Sequence, residues 1–176
     1  MPTAQTTEGA DFAEIFRAHA PRVWRALRRL GVREADVEDL CQEVFVVVHR
    51  KLPAFEGRSA LSTWIYGICV RVASDHRKRA HVRRERPTDE IPDDRQSAPQ
   101  LKELEREQMR RLLDRALDTL DDDKRAVFVL YEIEQLEMPE VADALSCPLQ
   151  TAYSRLYAAR KIVKRAVLAA TEGGAR

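Results

Sequence analysis

Apolar residues recur at steps of three and four along most of the chain, which is the spacing of amphipathic helices. The first such run predicts a helix from about residue 11 to residue 30. Pro21 lies inside it and is expected to kink or restart the helix, because proline removes one backbone hydrogen bond. Gly31 is expected to follow the helix as its C′ residue.

Two further helices are predicted in the first half of the chain. One runs from about residue 34 to residue 52, has a buried stripe of mainly valine and leucine, and stops before Pro53. The next follows a short loop, with Ser59 or Ser62 as a plausible N-cap, and ends near Arg79. The far end of this third helix is strongly basic.

The second half of the chain predicts four more helices. The first begins near Leu101 and runs to about residue 120. Asp121 or Asp122 is expected to cap the next, which covers the sequence DDDKRAVFVLYEIE. Two others are expected at about 139–145 and 148–170, on either side of a short break.

Composition changes sharply between these halves. Residues 87–100 contain three prolines, several acidic residues and few apolar ones, which is typical of a linker. The fold class is therefore expected to be all-α, with two small helical domains joined by a flexible linker. The expected bounds are a disordered tail at 1–10, a first domain at 11–82, the linker at 83–104, a second domain at 105–170 and a tail at 171–176.

Bulk composition excludes several classes of protein. Hydrophobic residues make up 44% of the chain, enough for packed cores, and the net charge is only +1. Cys41, Cys69 and Cys147 lie far apart and form no C-x-x-C pair, so we expect small core residues rather than zinc ligands or disulfides. The start of the chain lacks the features of a signal peptide and no apolar run approaches the ~20 residues of a membrane span. We expect a cytoplasmic protein with no membrane insertion.

The stretch EVADALSCPLQTAYSRLYAAR has the spacing of a helix-turn-helix. Small Ala142 lies where two helices would cross, Ser146 occupies the turn, and Ala152 falls where the second helix packs back. The turn position often needs a positive φ, which serine adopts at a cost of about 1 kcal/mol. Pro148 suits the first turn of the second helix.

Two interpretations of this stretch remain open when it is considered alone. In the first, the second helix enters a major groove, so that polar outward residues meet base edges and basic residues on its flanks meet phosphates. In the second, the segment is a hairpin of core helices with a solvated basic face. The outward residues are Leu149, Gln150, Tyr153, Ser154 and Tyr157, and the flanking ones include Arg155, Arg160, Lys161, Lys164 and Arg165.

Two blocks in the first half carry a family resemblance. They are DVEDLCQEVF at residues 36–45 and ALSTWIY at residues 60–66. These blocks resemble the second conserved region of bacterial sigma factors, specifically the small extracytoplasmic-function (ECF) branch. The helix-turn-helix stretch is similar to the fourth region of the same family. The resemblance covers roughly residues 11–80 and 110–168 and implies a dissociable specificity subunit of RNA polymerase.

For the acidic block, the resemblance implies a polymerase-docking surface. In relatives, this helix meets the basic clamp helices of the largest polymerase subunit, and the second domain meets the flap region of the second largest subunit. Complementary charge would set orientation and association rate. Without the resemblance, an ordinary solvated face explains the same residues. The expected docking residues are Asp36, Asp39, Gln42 and Glu43.

For the third helix, the resemblance implies capture of the unpaired strand of the minus-ten element. Aromatic residues beside cationic ones suit single-stranded DNA, because bases stack and phosphates pair with the cations. Trp64 is equally well explained as a core residue, since tryptophan buries a large area. The expected minus-ten residues are Trp64, Arg71, Ser74, Asp75, Arg77, Lys78 and Arg79.

For the helix-turn-helix, the resemblance implies contact with the minus-thirty-five duplex. Ser146, Ala152 and Tyr153 stand where the family pattern usually has Gly, Val and Arg, so no promoter sequence can be transferred. The expected minus-thirty-five residues are Gln150, Thr151, Tyr153, Ser154, Arg155, Tyr157, Arg160 and Lys161.

The resemblance also sets the expected partners. They are core RNA polymerase, promoter DNA and an anti-sigma factor, with no cofactor, no metal, no catalytic residue and no stable homo-oligomer. The alternative is a stand-alone helix-turn-helix regulator with a helical dimerisation domain, which would bind a palindrome without polymerase. That alternative gives no reason for the acidic and aromatic blocks.

Overall fold

The computed structural model describes residues 12–84 and 101–173, and within these residues it contains seven α-helices and no strand. The seven helices predicted from the apolar periodicity are thus confirmed. Their bounds are α1 Phe12–Arg29, α2 Glu34–Lys51, α3 Leu61–Arg84, α4 Leu101–Asp118, α5 Asp122–Phe128, α6 Met138–Ala144 and α7 Leu149–Gly173.

Helices α1, α2 and α3 pack against one another as the first helical group. Helix α1 continues through Pro21 without a restart. Proline costs the helix one backbone hydrogen bond. The helix tolerates this loss because Val23 and Leu27, which follow the proline, are buried in the core. Gly31 ends the helix with φ +89°, as expected of a C′ residue.

Two local predictions in this group were wrong. Neither Ser59 nor Ser62 caps α3, because the helix begins at Leu61 and the Trp64 amide donates to the Ala60 carbonyl at 3.1 Å. Helix α3 also extends beyond Arg79, as far as Arg84. At the end of α2, residues 52–54 form a single 3₁₀ turn that contains Pro53.

The predicted linker is occupied by helix at both ends. Helix α3 includes residues 83 and 84, and α4 begins at Leu101. The remainder of the predicted linker, the predicted disordered tail at 1–10 and residues 174–176 of the predicted C-terminal tail lie outside the described residues.

Helices α4 to α7 form the second helical group. Asp121 is the N-cap of α5, and its carboxylate accepts from the Lys124 amide at 2.9 Å. The helix predicted for DDDKRAVFVLYEIE is not uniform, since α5 ends at Phe128 and residues 129–133 form a π-helical turn. Gln135 follows with φ +59°, in the short loop between this turn and α6.

The two helical groups share one continuous apolar core, which the sequence did not predict. Helix α3 of the first group packs directly on α6 of the second. Gly67 lies at this crossing, where an added Cβ would stand 2.9 Å from the Ala144 carbonyl oxygen. Only glycine therefore allows the two backbones to approach so closely.

The three cysteines occupy core or half-buried positions, as expected. Cys69 is fully buried, whereas Cys41 and Cys147 are half-buried, and all three are free thiols. Burial raises the pKa of the Cys69 and Cys41 thiols, which keeps both protonated at neutral pH. These thiols are therefore poor nucleophiles and poor metal ligands.

Candidate nucleic-acid interface

Helices α6 and α7 form the helix-turn-helix predicted from the sequence. Ala142 and Ala152 are 6% and 0% exposed, so both small residues lie at the crossing of the two helices. Val141 and Leu156 are buried beside them. The Pro148 carbonyl accepts from the amides of residues 151 and 152 in the first turn of α7.

The turn is a Schellman motif with serine in the usual glycine position. Ser146 has φ +50°, which confirms the expected left-handed conformation. Its amide donates to the Asp143 carbonyl at 3.1 Å, and the Cys147 amide donates to the Ala142 carbonyl at 3.0 Å. These two bonds satisfy carbonyls at the end of α6.

Replacing Ser146 with glycine is expected to stabilise the protein by up to about 1 kcal/mol, because the left-handed strain disappears. Part of this gain is offset by loss of the hydrogen bond that the serine hydroxyl accepts from Arg71 at 3.1 Å. Urea unfolding measures the change. The control Ser154→Gly, inside α7, is expected to destabilise the protein, because glycine weakens helix interiors. A loss of stability in Ser146→Gly would contradict the strain argument.

The outward side of α7 carries polar and aromatic residues near its N-terminus. Gln150, Tyr153, Tyr157 and Lys161 are exposed, Tyr157 to 76%. Leu149 is 44% exposed on the same helix. The amide and two phenols on this side, with the Lys161 ammonium group about three turns into the helix, can donate to both base edges and phosphates.

Two arginines on α7 are held by carboxylates of the same helical group. Arg155 pairs with Asp123, and Arg160 pairs with Glu132 at 2.6 Å while lying over the Tyr131 ring at 5.6 Å. These contacts fix both guanidinium groups along one flank of α7. Of the other predicted residues, Ser154 donates to the Thr151 carbonyl at 2.9 Å, and Thr151 is half-buried.

The two aromatic residues at the start of α3 differ in burial. Trp64 is half-buried and its ring stacks at 5.0 Å, tilted by 40°, on Phe55. Tyr66 is 5% exposed and donates to Glu134 of the second helical group at 2.6 Å. Burial, followed by this hydrogen bond to a carboxylate, raises the Tyr66 pKa. Of this pair, only Trp64 is partly exposed to solvent.

Three of the expected minus-ten residues contact the second helical group. Arg71 donates to the Ser146 hydroxyl, Ser74 donates to Asp122 at 3.4 Å, and Arg77 pairs with Asp122 at 2.7 Å. Arg77 also donates to the Leu30 carbonyl at 3.1 Å. Burial and the neighbouring Arg125 lower the Arg77 pKa, while Asp122 opposes that shift.

The remaining expected minus-ten residues lie on the exposed side of α3. Asp75 and Lys78 are exposed. Arg79 is also exposed, and it donates to the Asp75 carbonyl and lies 3.7 Å from the Glu43 carboxylate of α2. The basic end of α3 therefore touches both the second group and the acidic helix.

The predicted docking residues on α2 differ in how free their side chains are. Asp36 is engaged within the first helical group, since it pairs with Arg33 at 2.9 Å and accepts from His76 at 3.1 Å. Asp39, Gln42 and Glu43 are exposed on the outer side of α2, whose opposite side carries buried core residues. These three residues form what we call the acidic face.

The geometry shows several contacts that the sequence did not indicate. Glu134 accepts from Tyr66 and pairs with Arg29 at 3.2 Å, and Thr63 donates to Glu140 at 3.0 Å. The partners are between 68 and 105 residues apart in the chain. Neither periodicity nor a motif predicts such pairs. A carboxylate at a domain interface and a carboxylate in solvent both lie at polar positions of a helix, so the sequence pattern is the same.

Two kinds of site are absent from the described residues, a metal-binding cluster and a membrane-spanning helix. Residues 12–84 and 101–173 contain no group of three or more His, Cys, Asp or Glu side chains placed to hold a metal ion. None of the helices in those ranges is both long enough and apolar enough to cross a bilayer.

Comparison with protein families assigns both halves of the chain. The family model for sigma-70 region 2 matches residues 15–83, and that for sigma-70 region 4 matches residues 110–163. The first match spans α1 to α3, and the second contains the helix-turn-helix.

Curated relatives agree with this assignment. The ECF RNA polymerase sigma-E factor of Escherichia coli K12 is 31% identical over 147 residues, covering 77% of this chain and 76% of the relative. The sigma-E factor of Haemophilus influenzae is 27% identical over 146 residues, covering 77% of each chain.

Solved structures show the same fold. CnrH, in complex with the cytosolic domain of CnrY, has a TM-score of 0.65 at 24% identity over 90% of this chain and 88% of that one. The sigma factor RpoE of Bartonella quintana, in complex with the anti-sigma factor NepR, has a TM-score of 0.66 at 21% identity over 90% and 98%. With both sigma regions matched in order, this chain belongs to the ECF branch of the sigma-70 family, the factors that direct RNA polymerase to promoters and start transcription there.

Proposed function

We propose that the two helical domains divide promoter recognition between them. The second domain, about residues 105–170, would bind the minus-thirty-five duplex through α7. The first domain, about residues 11–82, would hold the melted minus-ten strand on α3. The observation that carries this proposal is the exposed tip of α7 on a complete helix-turn-helix, with Gln150, Tyr153 and Tyr157 outward.

In this proposal, the exposed residues of α7 have distinct roles. Gln150 lies in the first turn of the helix, where side chains reach base edges, and its amide can both donate and accept. Arg155, Arg160 and Lys161 supply phosphate contacts, which position the helix without specifying sequence. Tyr153 stands where the family pattern usually has arginine. The preferred bases are therefore expected to differ from those of the sigma-E relatives.

Strand capture on α3 would assist promoter opening. Separating DNA costs about 1.4 kcal/mol per base-pair step. Stacking of an unpaired base on an aromatic side chain contributes about 1–3 kcal/mol of binding free energy. Trp64, which is partly exposed and lies two helical turns before Arg71 on α3, is the side chain that we propose for such stacking. One or two captured bases therefore offset the cost of opening about one to four base-pair steps.

The acidic face of α2 would attach the protein to core RNA polymerase. Its charges lie on the side of the helix away from the core, so a basic partner can approach without disturbing the fold. The basic clamp helices of the largest subunit are the proposed partner, and the flap region of the second largest subunit is proposed to hold the second domain.

We further propose that an anti-sigma factor controls this protein in the cytoplasm. The structural relatives RpoE and CnrH were both solved with bound partners, NepR and the cytosolic domain of CnrY. The support for this chain is similarity of fold to those two proteins.

Genomic run-off transcription tests the proposal. Core RNA polymerase would transcribe genomic DNA from the source organism with and without this protein, and the 5′ ends of the transcripts would be mapped. We expect new start sites that share two sequence blocks, near minus thirty-five and minus ten. Absence of new start sites would reject the proposed function.

A paired variant assigns the upstream block to α7. Gln150→Ala with Tyr153→Ala is expected to reduce initiation at least tenfold where the upstream block is intact, since each good base contact contributes about 1–3 kcal/mol. Binding to core polymerase should not change. The matched control is Met109→Ala, which removes a 65% exposed apolar side chain from α4. Equal loss in both variants would show that α7 does not recognise the upstream block.

A further inference from the structure

Two arginines on the flank of α7, Arg155 and Arg160, are held by carboxylates in different ways. Arg155 donates from a terminal nitrogen to Asp123, and the terminal nitrogens are the donors that form a fork around a phosphate. Arg160 instead donates its Nε hydrogen to Glu132 at 2.6 Å. Because this bond uses the Nε hydrogen, the four hydrogens on the two terminal nitrogens of Arg160 are left for a second anion.

An aromatic ring constrains the same guanidinium group. The Cζ atom of Arg160 lies 5.6 Å from the centroid of the Tyr131 ring, within the range of a cation–π contact. The hydrogen bond at Nε and the ring at its face together restrict the position and the tilt of the guanidinium plane. An arginine side chain has several rotatable bonds, so a partner that holds it in one conformation lowers the entropy cost of later binding.

Both partners of this arginine come from an anchored segment. Tyr131 and Glu132 are consecutive residues of the π-helical turn at residues 129–133. In that turn the Glu134 amide donates to the Val129 carbonyl, five residues back, at 2.9 Å. Val129 is 0% exposed, so the turn is fixed in the core of the protein. Single π-helical turns within helices occur frequently at functional sites.

Stability alone gives little reason for this ion pair. The Arg160 side chain is 54% exposed and the Glu132 side chain is 30% exposed. Ion pairs with this much contact with solvent contribute little to the free energy of unfolding, because water and salt screen the attraction. A carboxylate beside a DNA-binding helix also repels phosphates. Orientation of the arginine is the effect of Glu132 that would favour DNA binding.

We propose that Tyr131 and Glu132 are positioning residues, which hold the Arg160 guanidinium group with its terminal nitrogens ready to bind a phosphate of the upstream duplex. This inference rests on the proposed role of α7 in binding that duplex. The entropy cost of ordering Arg160 is met when the protein folds, so DNA binding does not include it. Arg155 is not prepared in this way, because a phosphate has to displace or share the Asp123 carboxylate at its terminal nitrogen.

Two charge-matched variants of the full-length protein test the role of Glu132. Glu132→Gln removes the charge but keeps an acceptor for the Nε hydrogen, whereas Glu132→Ala removes both. The probe is a fluorescein-labelled pool of random-sequence duplexes of about 30 base pairs, because phosphate contacts do not depend on sequence. In anisotropy titrations, we expect Glu132→Ala to bind about three- to tenfold more weakly than Glu132→Gln. The slope of log affinity against log salt should also be shallower in Glu132→Ala, by up to about 0.9, which corresponds to one phosphate contact.

The same comparison in an Arg160→Ala background separates positioning from a general structural effect. The two Glu132 variants should then bind the duplex pool equally, because no guanidinium group is left to orient. Tyr131→Leu and Tyr131→Phe give a second comparison, since leucine removes the ring and phenylalanine keeps it. We expect Tyr131→Leu to bind more weakly than Tyr131→Phe only while Arg160 is present.

The matched control pair is Asp123→Asn and Asp123→Ala. Asp123 binds a terminal nitrogen of Arg155, so both variants should bind the duplex pool equally and at least as tightly as the wild type. A difference within this pair as large as that within the Glu132 pair would overturn the inference, because every carboxylate paired with an α7 arginine would then act alike. Equal binding by the two Glu132 variants, or a difference that persists without Arg160, would also overturn it.

The outcomes separate this inference from the proposed function. New start sites in the genomic run-off, together with equal binding by the two Glu132 variants, would leave the sigma role intact and remove the positioning role. Absence of new start sites, together with the expected difference between these variants, would reject the sigma role and support positioning for duplex binding. Wild-type affinity in Arg160→Ala would overturn the inference, because Arg160 would then contribute no phosphate contact.

Discussion

Reversing two charges on the acidic face, by Asp39→Lys with Glu43→Lys, is expected to weaken binding to core RNA polymerase at least about 100-fold. Both residues are exposed and lie one helical turn apart on α2. The variant brings lysines towards the basic surface proposed as partner, and like charges placed together at an interface cost several kcal/mol. Binding is measured by fluorescence anisotropy of labelled protein titrated with core polymerase.

The fold should tolerate this change. The opposite side of α2 carries the buried residues Leu40, Val44 and Val48, which supply its packing. The lost contact between Glu43 and Arg79 is long and exposed, so it contributes less than about 1 kcal/mol. Circular dichroism should show unchanged helicity.

The matched control reverses two exposed acids elsewhere in the first helical group, by Glu14→Lys with Glu56→Lys. It alters the net charge equally, so it reports any general charge effect. Equal weakening in both double variants, or unchanged binding in the acidic-face variant, would place polymerase docking elsewhere on the molecule.

Helices and turns were predictable from the sequence because their causes are local. The periodicity of apolar residues gave all seven helices, and the left-handed conformation of Ser146 followed from the spacing of the helix-turn-helix. Local predictions failed where more than one nearby residue suited the same structural role. Two serines could have capped α3, yet the helix begins at Leu61 and its first backbone bond runs to the Ala60 carbonyl, so neither serine is the N-cap.

The candidate site was only partly predictable. The outward residues of α7 followed from helical geometry, and their exposure agrees with that expectation. Asp36 and Arg77 were expected on free surfaces, but His76 and Asp122 bind them. A charged residue on a helix face has the same pattern whether it meets solvent or a second domain, so packing between distant helices decides its role.

Replacing Arg125 with methionine is expected to lower the free energy of unfolding by about 2–3 kcal/mol, since hydrogen bonds from charged groups contribute most when buried. The side chain is 3% exposed. Its Nε and one terminal nitrogen donate to the Leu117 carbonyl at 3.0 and 2.6 Å, and the same terminal nitrogen donates to Asp118 at 2.7 Å. These bonds satisfy the C-terminal end of α4, whose last carbonyls have no partner within the helix.

Methionine keeps the length and much of the apolar volume of this side chain but supplies no donor, so the variant isolates the hydrogen bonds from the packing. Guanidinium-chloride unfolding followed by circular dichroism measures the loss. The control Arg28→Met removes a pair with the exposed carboxylate of Glu34 and should cost less than about 1 kcal/mol. Similar losses in the two variants would contradict a special role for the buried arginine. The Arg125 guanidinium also fills the space beside Gly31, so one side chain satisfies the C-terminal end of α4 and contacts the first helical group.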